Sequence, residues 1–323
     1  MTLVTITHST AYRYAGRVAL GPHRLMLRPR ETPGLWLISF DMDVSPAADI
    51  VWSHAVAGNS VASASFTSAS DMLAVRSRTT VELTAPAWPV FAIAASAASY
   101  PFLYASDDRI DLGALAVPQY ADAAGRLSSW VEEFVMNRPP DTPSLLKELG
   151  NGVATGMSYQ SRETEGTQGP IETLDRGWGS CRDFAVLLAE AARTVGFGAQ
   201  LVSGWLHDPS GSRLGSAETG STHAWVEAFI PGAGWIPFEP NNRAVGAANL
   251  IPVAVARHIA QVTPVAGSFL GTNIDLLSME VIVKVADATA SCDPGPDHGG
   301  SASAALGGPC TSISPSPAAP PRR

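Results

Sequence analysis

Three residues whose types act together in nucleophilic catalysis follow one another in the second half of the sequence. Cys181 opens an amphipathic segment, where the free N–H groups and the positive end of a helix dipole favour a thiolate. His223 begins an alternating apolar segment, and Glu239 ends the following one. A nucleophile, a base and an orienting acid form a catalytic triad. On spacing alone, a surface His–Glu pair beside a buried structural cysteine is an equally good interpretation.

The neighbours of these residues are candidates for contacts with a substrate. Gly179 and Ser180 leave room for a substrate carbonyl to approach the backbone, so that the Cys181 N–H can join an oxyanion hole. Trp178 can wall a cleft or pack in the core, and Trp225 lies on the histidine's side of its strand. We therefore assign Trp178, Gly179, Ser180 and Trp225 as candidate substrate-binding residues.

A helix and two strands have to position the candidate triad. The apolar stripe after the cysteine has helical spacing and comprises Phe184, Leu187, Leu188, Ala191 and Val195. Segments 199–206, 222–230 and 235–239 alternate as strands, and a Pro-Gly-Ala-Gly turn joins the last two. Because adjacent antiparallel strands lie side by side, His223 and Glu239 come within hydrogen-bond reach if the turn keeps an even register.

The first 83 residues have the patterns of antiparallel β structure. Alternate residues of one segment are apolar and predict its buried face: Trp36, Ile38, Phe40, Met42 and Val44. Turn signals recur at short intervals, among them Gly58-Asn59. This arrangement is typical of a β-sandwich.

The middle and the end of the chain differ from this start. Segments 126–136 and 142–154 have apolar residues at helical spacing, with Pro139-Pro140 between them. A last β-like segment covers 277–286, and the residues after it have the Ser, Ala, Pro and Gly composition of a disordered tail. These patterns divide the chain into an N-terminal β-sandwich domain (1–85), a connector (86–116), a catalytic core with a C-terminal extension (117–286) and a tail (287–323).

Composition excludes several classes of protein. The 323 residues include 21 basic and 29 acidic ones, a formal net charge of -8, whereas nucleic-acid binding needs a basic footprint. Three cysteines are too few and too unevenly spaced for a disulfide scaffold. Cys292, His298 and Cys310 lack the spacing of zinc ligands, and no acidic loop resembles a calcium site. We expect neither a metal nor another cofactor.

Residues 83–104 carry no charge, and a stretch of about 20 apolar residues is long enough to span a bilayer. However, Pro86, Pro89 and Pro101 interrupt helical hydrogen bonding, nine of the other 19 residues are Ala or Ser, and no Lys/Arg cluster flanks the segment. We interpret it as a buried or partly buried connector. Since the N-terminus shows no secretory signal, we expect a soluble, cytoplasmic protein with no membrane or nucleic-acid partner.

Four motifs resemble, in order and spacing, the core of bacterial transglutaminase-like proteins. They are WGSCRDFA (178–185), LVSGW (201–205), HAWVE (223–227) and GWIPFEPNN (234–242). The first 85 residues resemble the β-rich N-terminal region of the same group, and residues 257–267 resemble its C-terminal extension. The resemblance covers the chain to residue 286 and leaves out only the tail.

This resemblance implies an α+β, papain-like core in which the cysteine helix packs on an antiparallel sheet. It implies that Cys181 is the nucleophile, His223 the base and Glu239 the third member of the triad. Three residues depart from the family pattern: the third member is usually Asp, one methylene shorter than Glu239, Asn241 replaces the usual Thr, and Ala55 replaces the usual Asp before the Gly58-Asn59 turn. The first departure bears on the geometry of the histidine.

Two functions from different classes remain open. One is a cysteine enzyme that acts on a peptide or protein amide through a thioester, more as a hydrolase than as a cross-linking enzyme, because water needs no second binding site. The other is a binding or scaffolding module that keeps the fold without turnover, for which the substitution at Glu239 leaves room. The sequence does not determine the oligomeric state.

Overall fold

The structure is a computed structural model that describes residues 1–136, 141–161, 166–214, 222–271 and 276–288. Pro139-Pro140 and the tail residues Cys292, His298 and Cys310 lie outside the described residues, as does the predicted tail after Ala288. In the described part, the α-helices are Ser106–Leu112 (α1), Arg126–Met136 (α2), Thr142–Gly156 (α3), Pro170–Arg176 (α4) and Cys181–Thr194 (α5). Short 3-10 helices cover Ala95–Ala97, Gly113–Ala116 and Ile259–Val262.

The described β-strands alternate with these helices only in the middle of the chain. The strands before the first helix are Thr2–Leu20 (β1), His23–Leu25 (β2), Leu35–Ser45 (β3), Ala48–His54 (β4), Ser60–Phe66 (β5) and Ser70–Leu83 (β6). Those among the helices are Ser158–Tyr159 (β7) and Trp178–Gly179 (β8). Those after the last helix are Ala199–Leu206 (β9), His223–Ile230 (β10), Gly234–Glu239 (β11), Ala244–Val245 (β12), Leu250–Ala256 (β13), Val265–Ala266 (β14), Phe269–Leu270 (β15) and Leu276–Asp287 (β16).

Two sheets form the N-terminal β structure. One has the order β15-β1-β6-β3, and β16 pairs with β1 on the edge that β15 also uses. The other has the order β14-β2-β5-β4. Apolar side chains from both sheets form one buried cluster, which includes Val4, Leu25, Ala62, Leu73 and Val81. The predicted antiparallel β structure of this region is therefore present.

The buried face of β3 differs from the predicted one. The pairing of β3 with β6 shifts by one residue between Leu37 and Ser39. An extra residue in a strand reverses the alternation of its side chains, so the residues on the two sides of this bulge face opposite ways. Trp36 and Ile38 are 55% and 57% exposed, whereas Phe40, beyond the bulge, packs against the core. The prediction that all five alternating residues share one buried face is wrong for Trp36 and Ile38.

The last described strand belongs to the N-terminal sheet by its hydrogen bonds. β16 runs antiparallel to β1 from the pair Val4–Asp287 to the pair Tyr14–Leu276. Val283 of this strand is buried in the apolar cluster that the two N-terminal sheets form. The predicted domain division places 277–286 with the catalytic core, and it stays a prediction; the pairing itself connects this segment to the start of the chain.

The central sheet has the order β12-β11-β10-β9-β13, and α5 packs on one of its faces. Ala224, Val226 and Ala228 of β10 lie in the same buried cluster as the apolar residues of α5. The predicted helical stripe after Cys181 contributes Phe184, Leu187, Leu188 and Ala191 to this cluster. The cysteine helix on an antiparallel sheet is the arrangement that the α+β prediction describes.

The segment after β6 is irregular and is bound to the core by aromatic contacts. The Tyr104 hydroxyl donates to the Phe229 carbonyl oxygen at 2.7 Å and accepts from the Gly198 N–H at 3.0 Å. Tyr100 and Phe102 contact Phe197 with ring centroids 5.8 and 5.7 Å apart. None of the helices that the structure describes has both the length and the apolar character needed to cross a membrane.

Candidate active site

Hydrogen bonds to Asp183 in the first turn of α5 determine where Cys181 lies. The Ser180 N–H and its hydroxyl both donate to Asp183 Oδ2 at 2.8 Å, and the Gln168 N–H donates to Asp183 Oδ1 at 2.7 Å. A carboxylate in the first turn is also stabilised by the helix dipole. These contacts anchor the start of α5, so that Cys181 is its first residue and its own N–H has no place in the helical ladder.

Gly179 lets this turn pack closely against the segment before it. A Cβ atom at Gly179 would lie 2.8 Å from the Asp183 Cβ and 3.1 Å from the Phe184 ring, which is closer than such atoms approach each other. Trp178, the preceding residue, is half-buried, and the Arg176 guanidinium lies over its ring, 5.5 Å from the centroid. The structure therefore places Trp178, Gly179 and Ser180 in sequence at the entrance to the cysteine helix.

The predicted imidazole–carboxylate pair is present between β10 and β11. In their register Val226 lies opposite Phe238, which puts the end of β11 beside the start of β10. His223 Nε2 and Glu239 Oε1 are 3.1 Å apart, and both side chains are buried. The turn therefore keeps the register that the sequence analysis requires, and the longer Glu239 reaches the ring.

The Glu239 carboxylate is also held by the backbone that follows it. Oε1 accepts from the Asn241 N–H at 3.0 Å, and Oε2 accepts from the Asn242 N–H at 3.0 Å and from its side-chain amide at 2.7 Å. With the contact to His223, four hydrogen bonds hold this carboxylate in one orientation. The held carboxylate in turn fixes the orientation of the His223 ring.

Cys181 lies next to this pair in an environment that favours the thiolate. Its side chain is buried, and Sγ lies 3.9 Å from the Thr222 carbonyl oxygen. Burial by itself raises the pKa of the thiol. The hydrogen bond and positive charge of His223, the charge of Arg182 and the Ala224 N–H outweigh this effect, so the pKa of Cys181 falls below its ordinary value.

The pKa of His223 shifts in the opposite direction to that of Cys181. Burial by itself lowers the pKa of His223, but the hydrogen bonds and negative charges of Cys181 and Glu239 raise it to about 10. Nε2 faces Glu239, which leaves Nδ1, a buried atom with no other hydrogen-bond partner in the described part of the chain, for the thiol proton. The two shifts together favour a thiolate–imidazolium pair over the neutral thiol and imidazole.

Trp225 supports the histidine from behind. Its ring is completely buried and stacks on His223, with centroids 6.2 Å apart and an interplanar angle of 29°. The indole N–H has no hydrogen-bond acceptor among the described residues. Trp225 is thus near the triad as predicted, but it contacts the base and presents no open surface beside Cys181.

Tyr159 is a site residue that the sequence analysis missed. β7 pairs in parallel with β8, which places Tyr159 opposite Gly179, and the Tyr159 ring packs edge-on against Phe184 at 6.3 Å. Burial raises the pKa of Tyr159 to about 12, and the negative charges of Cys181 and Glu239 add to this effect. No motif marks this residue, because a two-residue strand has no periodicity to detect.

The geometry gives no sign of a metal centre in the residues that the structure describes. No group of three or more His, Cys, Asp or Glu side chains in that part of the chain is arranged to hold a metal ion. The groups gathered around Cys181 are one thiol, one imidazole and one carboxylate. They can perform nucleophilic attack and proton transfer.

Family comparisons cover the two regions separately. Residues 4–82 match the family described as "Bacterial transglutaminase-like N-terminal region". Residues 128–240 match the "Transglutaminase-like superfamily" and contain Cys181, His223 and Glu239.

Individual proteins are similar over most of the chain. An uncharacterized protein of Mycobacterium tuberculosis is 27% identical over 294 residues, which are 87% of this chain and 91% of the relative. An uncharacterized protein of Mycobacterium leprae is 30% identical over 115 residues, 36% of this chain and 40% of the relative. A solved structure from Cytophaga hutchinsonii, a "Putative Cysteine Protease", has a TM-score of 0.68 at 19% identity and covers 90% of this chain and 92% of its own. The predicted fold class is confirmed.

Proposed function

We propose that the protein is a cysteine enzyme acting on amides, because residues 128–240 match the transglutaminase-like superfamily and residues 4–82 match the bacterial N-terminal region. The observation that carries the proposal is the buried His223–Glu239 hydrogen bond of 3.1 Å beside a thiol whose pKa is lowered. Cys181 is then the nucleophile, His223 the acid and base, and Glu239 the orienting group.

The thioester forms in the first half of the reaction. Cys181 Sγ, as the thiolate, attacks the amide carbon, and the carbonyl electrons move to the oxygen. The free Cys181 N–H at the start of α5 is placed to donate to this oxyanion. When the C–N bond breaks, the His223 imidazolium gives its proton to the leaving amine, so that a thioester and a neutral imidazole remain.

The second half restores the resting pair. Neutral His223 takes the proton of an incoming water, the water oxygen attacks the thioester carbon, and the C–S bond breaks to release a carboxylic acid and the thiolate. We favour hydrolysis over transfer to an amine because water requires no acceptor site of its own. The substrate of this reaction is a peptide or protein amide.

The reach of Glu239 supports turnover over an inert binding module. A module without activity has no need for a carboxylate with four hydrogen bonds, one of which orients a buried histidine. A binding module was an open alternative only because Glu239 replaces the usual Asp, and the longer side chain meets the ring at hydrogen-bond distance.

The test combines alkylation of the thiol with turnover. We expect iodoacetamide at pH 6 to modify Cys181 at least tenfold faster than Cys292 and Cys310 of the same chain, because only a thiolate reacts. A set of peptide amides should be cleaved by the parent protein and by a Glu133→Gln control on α2, and not by Cys181→Ala. Labelling of Cys181 no faster than of the other two cysteines, or cleavage retained in Cys181→Ala, would overturn the proposal.

A further inference from the structure

A second site lies away from the triad, in a cavity of about 1080 Å³. We call it the Glu227 cavity, after one of its lining residues. The lining also includes Arg30, Asn59, Gln200, Trp225 and Trp235. The lining includes none of Cys181, His223 and Glu239. Ligand sites are typically concave, mostly apolar spaces of about 300–1000 Å³ with a few polar groups, and this cavity has that character.

Glu227 supplies a carboxylate with spare capacity. Its Oε2 accepts a hydrogen bond from Gln200 Nε2 at 2.8 Å, and no other hydrogen bond to this side chain is found in the described residues. Burial raises the pKa of Glu227, and the Gln200 hydrogen bond and the charge of Arg30 offset this effect only in part. The carboxylate therefore lacks a close cationic partner, and Oε1 is available to a donor from a ligand.

Arg30 supplies the opposite charge from another part of the lining. Its Nη1 donates to the Ala57 carbonyl oxygen at 2.9 Å and to Asn59 Oδ1 at 2.8 Å. Asn59 is itself fixed by two hydrogen bonds to the backbone of Val255. Arg30 and Glu227 attract each other but form no ion pair in the described residues. Its remaining N–H groups are suited to bind a carboxylate.

The walls between these charges are apolar. Trp235 lines the cavity together with several prolines, namely Pro86, Pro89, Pro237 and Pro252. Trp225 is also a lining residue, but its ring is completely buried. Such walls take an apolar body, whereas Glu227 and Arg30 require an ammonium and a carboxylate at separate points of the same molecule. A single amino acid would leave most of the space empty, so a short peptide fits the volume better.

We propose that the Glu227 cavity binds a short apolar peptide with both termini free, its ammonium at Glu227 and its carboxylate at Arg30. The apolar side chains lie against Trp235 and the prolines of the lining. This site stands apart from the proposed function, because the binding needs neither the thiol nor the histidine.

The experiment is a calorimetric titration with three probes that share the two leucine side chains and differ only at their termini. Leu-Leu should bind saturably, whereas N-acetyl-Leu-Leu and Leu-Leu amide, which each lack one terminal charge, should bind at least tenfold more weakly. Glu227→Gln should weaken Leu-Leu binding at least tenfold and remove the difference between Leu-Leu and its acetylated form. Glu133→Gln, an exposed carboxylate on α2, is the matched control and should bind like the parent.

Binding at the triad is separated from binding in the cavity by the same titration on Cys181→Ala. Cavity binding should be unchanged in that variant, and the intrinsic fluorescence of the cavity tryptophans should shift on saturation. The proposal is overturned if Leu-Leu fails to bind, if both blocked dipeptides bind as tightly as Leu-Leu, or if Glu227→Gln binds all three probes like the parent. None of these results bears on whether Cys181 turns over amides.

Discussion

The resemblance to transglutaminase-like proteins implies Asp at the position of Glu239, and the surrounding backbone accommodates the extra methylene. The N–H groups of Asn241 and Asn242 lie 3.0 Å from its two oxygens, while His223 takes the remaining direction at 3.1 Å. Because the carboxylate is held from both sides, its length does not make it mobile. At the residue scale, the departure from the family pattern is thus compatible with an oriented histidine.

The first prediction concerns this carboxylate. Glu239→Gln should lower kcat by about 10³–10⁴-fold with little change in KM, because an amide stabilises the imidazolium poorly and can present a donor to the ring; removal of the charge in a serine-protease triad costs about 10⁴. Glu239→Asp keeps the charge and loses only reach, so it should retain more activity than Glu239→Gln. Steady-state kinetics on a cleaved peptide amide measures both. Parental turnover in Glu239→Gln would show that the third group lies elsewhere, with Glu227 as the next carboxylate to test.

The second prediction concerns the pH dependence of the thiolate–imidazolium pair. The lowered pKa of Cys181 means that the thiolate persists below the ordinary thiol pKa of about 8.5 and is lost only as the pH falls further. The raised pKa of His223 means that the imidazolium is lost as the pH rises through about 10. Turnover should therefore form a bell between these two limits.

Alkylation rates measured from pH 5 to 11 test the same pair directly. In His223→Asn the thiol loses its partner, so reactivity near pH 6 should fall at least tenfold and the midpoint should move towards the ordinary value. A midpoint that is the same in His223→Asn and in the parent would contradict the assignment of the pair.

At the scale of elements, the site depends on how the start of α5 meets two very short strands. Asp183 closes the first turn through Ser180 and joins it to Gln168, while the pairing of β7 with β8 brings Tyr159 opposite Gly179. The cysteine is therefore positioned by β7, Gln168 and residues 178–180 as much as by the helix it begins. Close backbone approach at Gly179 is the condition for this arrangement.

The third prediction follows from that approach. Gly179→Ala places a methyl group 2.8 Å from the Asp183 Cβ, so the turn has to shift, which should destabilise the fold by about 1–3 kcal/mol and lower the rate of Cys181 alkylation. Urea unfolding and iodoacetamide kinetics provide the two measurements. Gly156→Ala, at the end of α3, meets no atom within 4 Å and should leave both unchanged or raise stability slightly. Equal stabilities for the two variants would mean that the turn accommodates a methyl group at position 179 without a loss of stability.

At the scale of the whole molecule, the last described strand pairs with the first strand of the chain. β16 covers the edge of β1 from Val4 to Tyr14, and residues of β14 and β15 also join the N-terminal sheets. An uncovered edge strand exposes unpaired N–H and C=O groups, which makes it prone to association. The sandwich is thus completed by the last strand of the described chain rather than by residues 1–85 alone.

The fourth prediction compares two truncations. Ending the chain at Leu270 removes β16, exposes β1 and takes Val283 out of the core, so the melting temperature should fall by about 5 °C or more, since about 1 kcal/mol corresponds to about 2–4 °C in a domain of this size. Ending it at Ala288 removes only the segment whose composition cannot form a core, so melting and Cys181 alkylation should be unchanged. Calorimetry distinguishes the two. A large loss in the longer truncation product would show that residues after Ala288 contribute to stability.

Sequence by itself predicted the fold class and the contacts that neighbouring elements make. The start of α5 at Cys181 follows from an amphipathic stripe and a first-turn acid, and the His223–Glu239 pair follows from two strands joined by a four-residue turn. These features are local or nearly so, because periodicity and turn chemistry act over a few residues. A short connection leaves little freedom in the register, so the pairing could be predicted.

The tertiary structure decided what depends on residues far apart in the chain. No local pattern predicts the bulge that turns Trp36 and Ile38 outward or the pairing of β16 with β1. The same holds for the place of Tyr159 beside Gly179 and for the presence of Arg30 and Glu227 in the lining of one cavity. Each results from packing the sheets together, where burial of the whole surface outweighs the preference of a single segment. Periodicity shows that a strand has an apolar face, and only its partner determines which way that face turns.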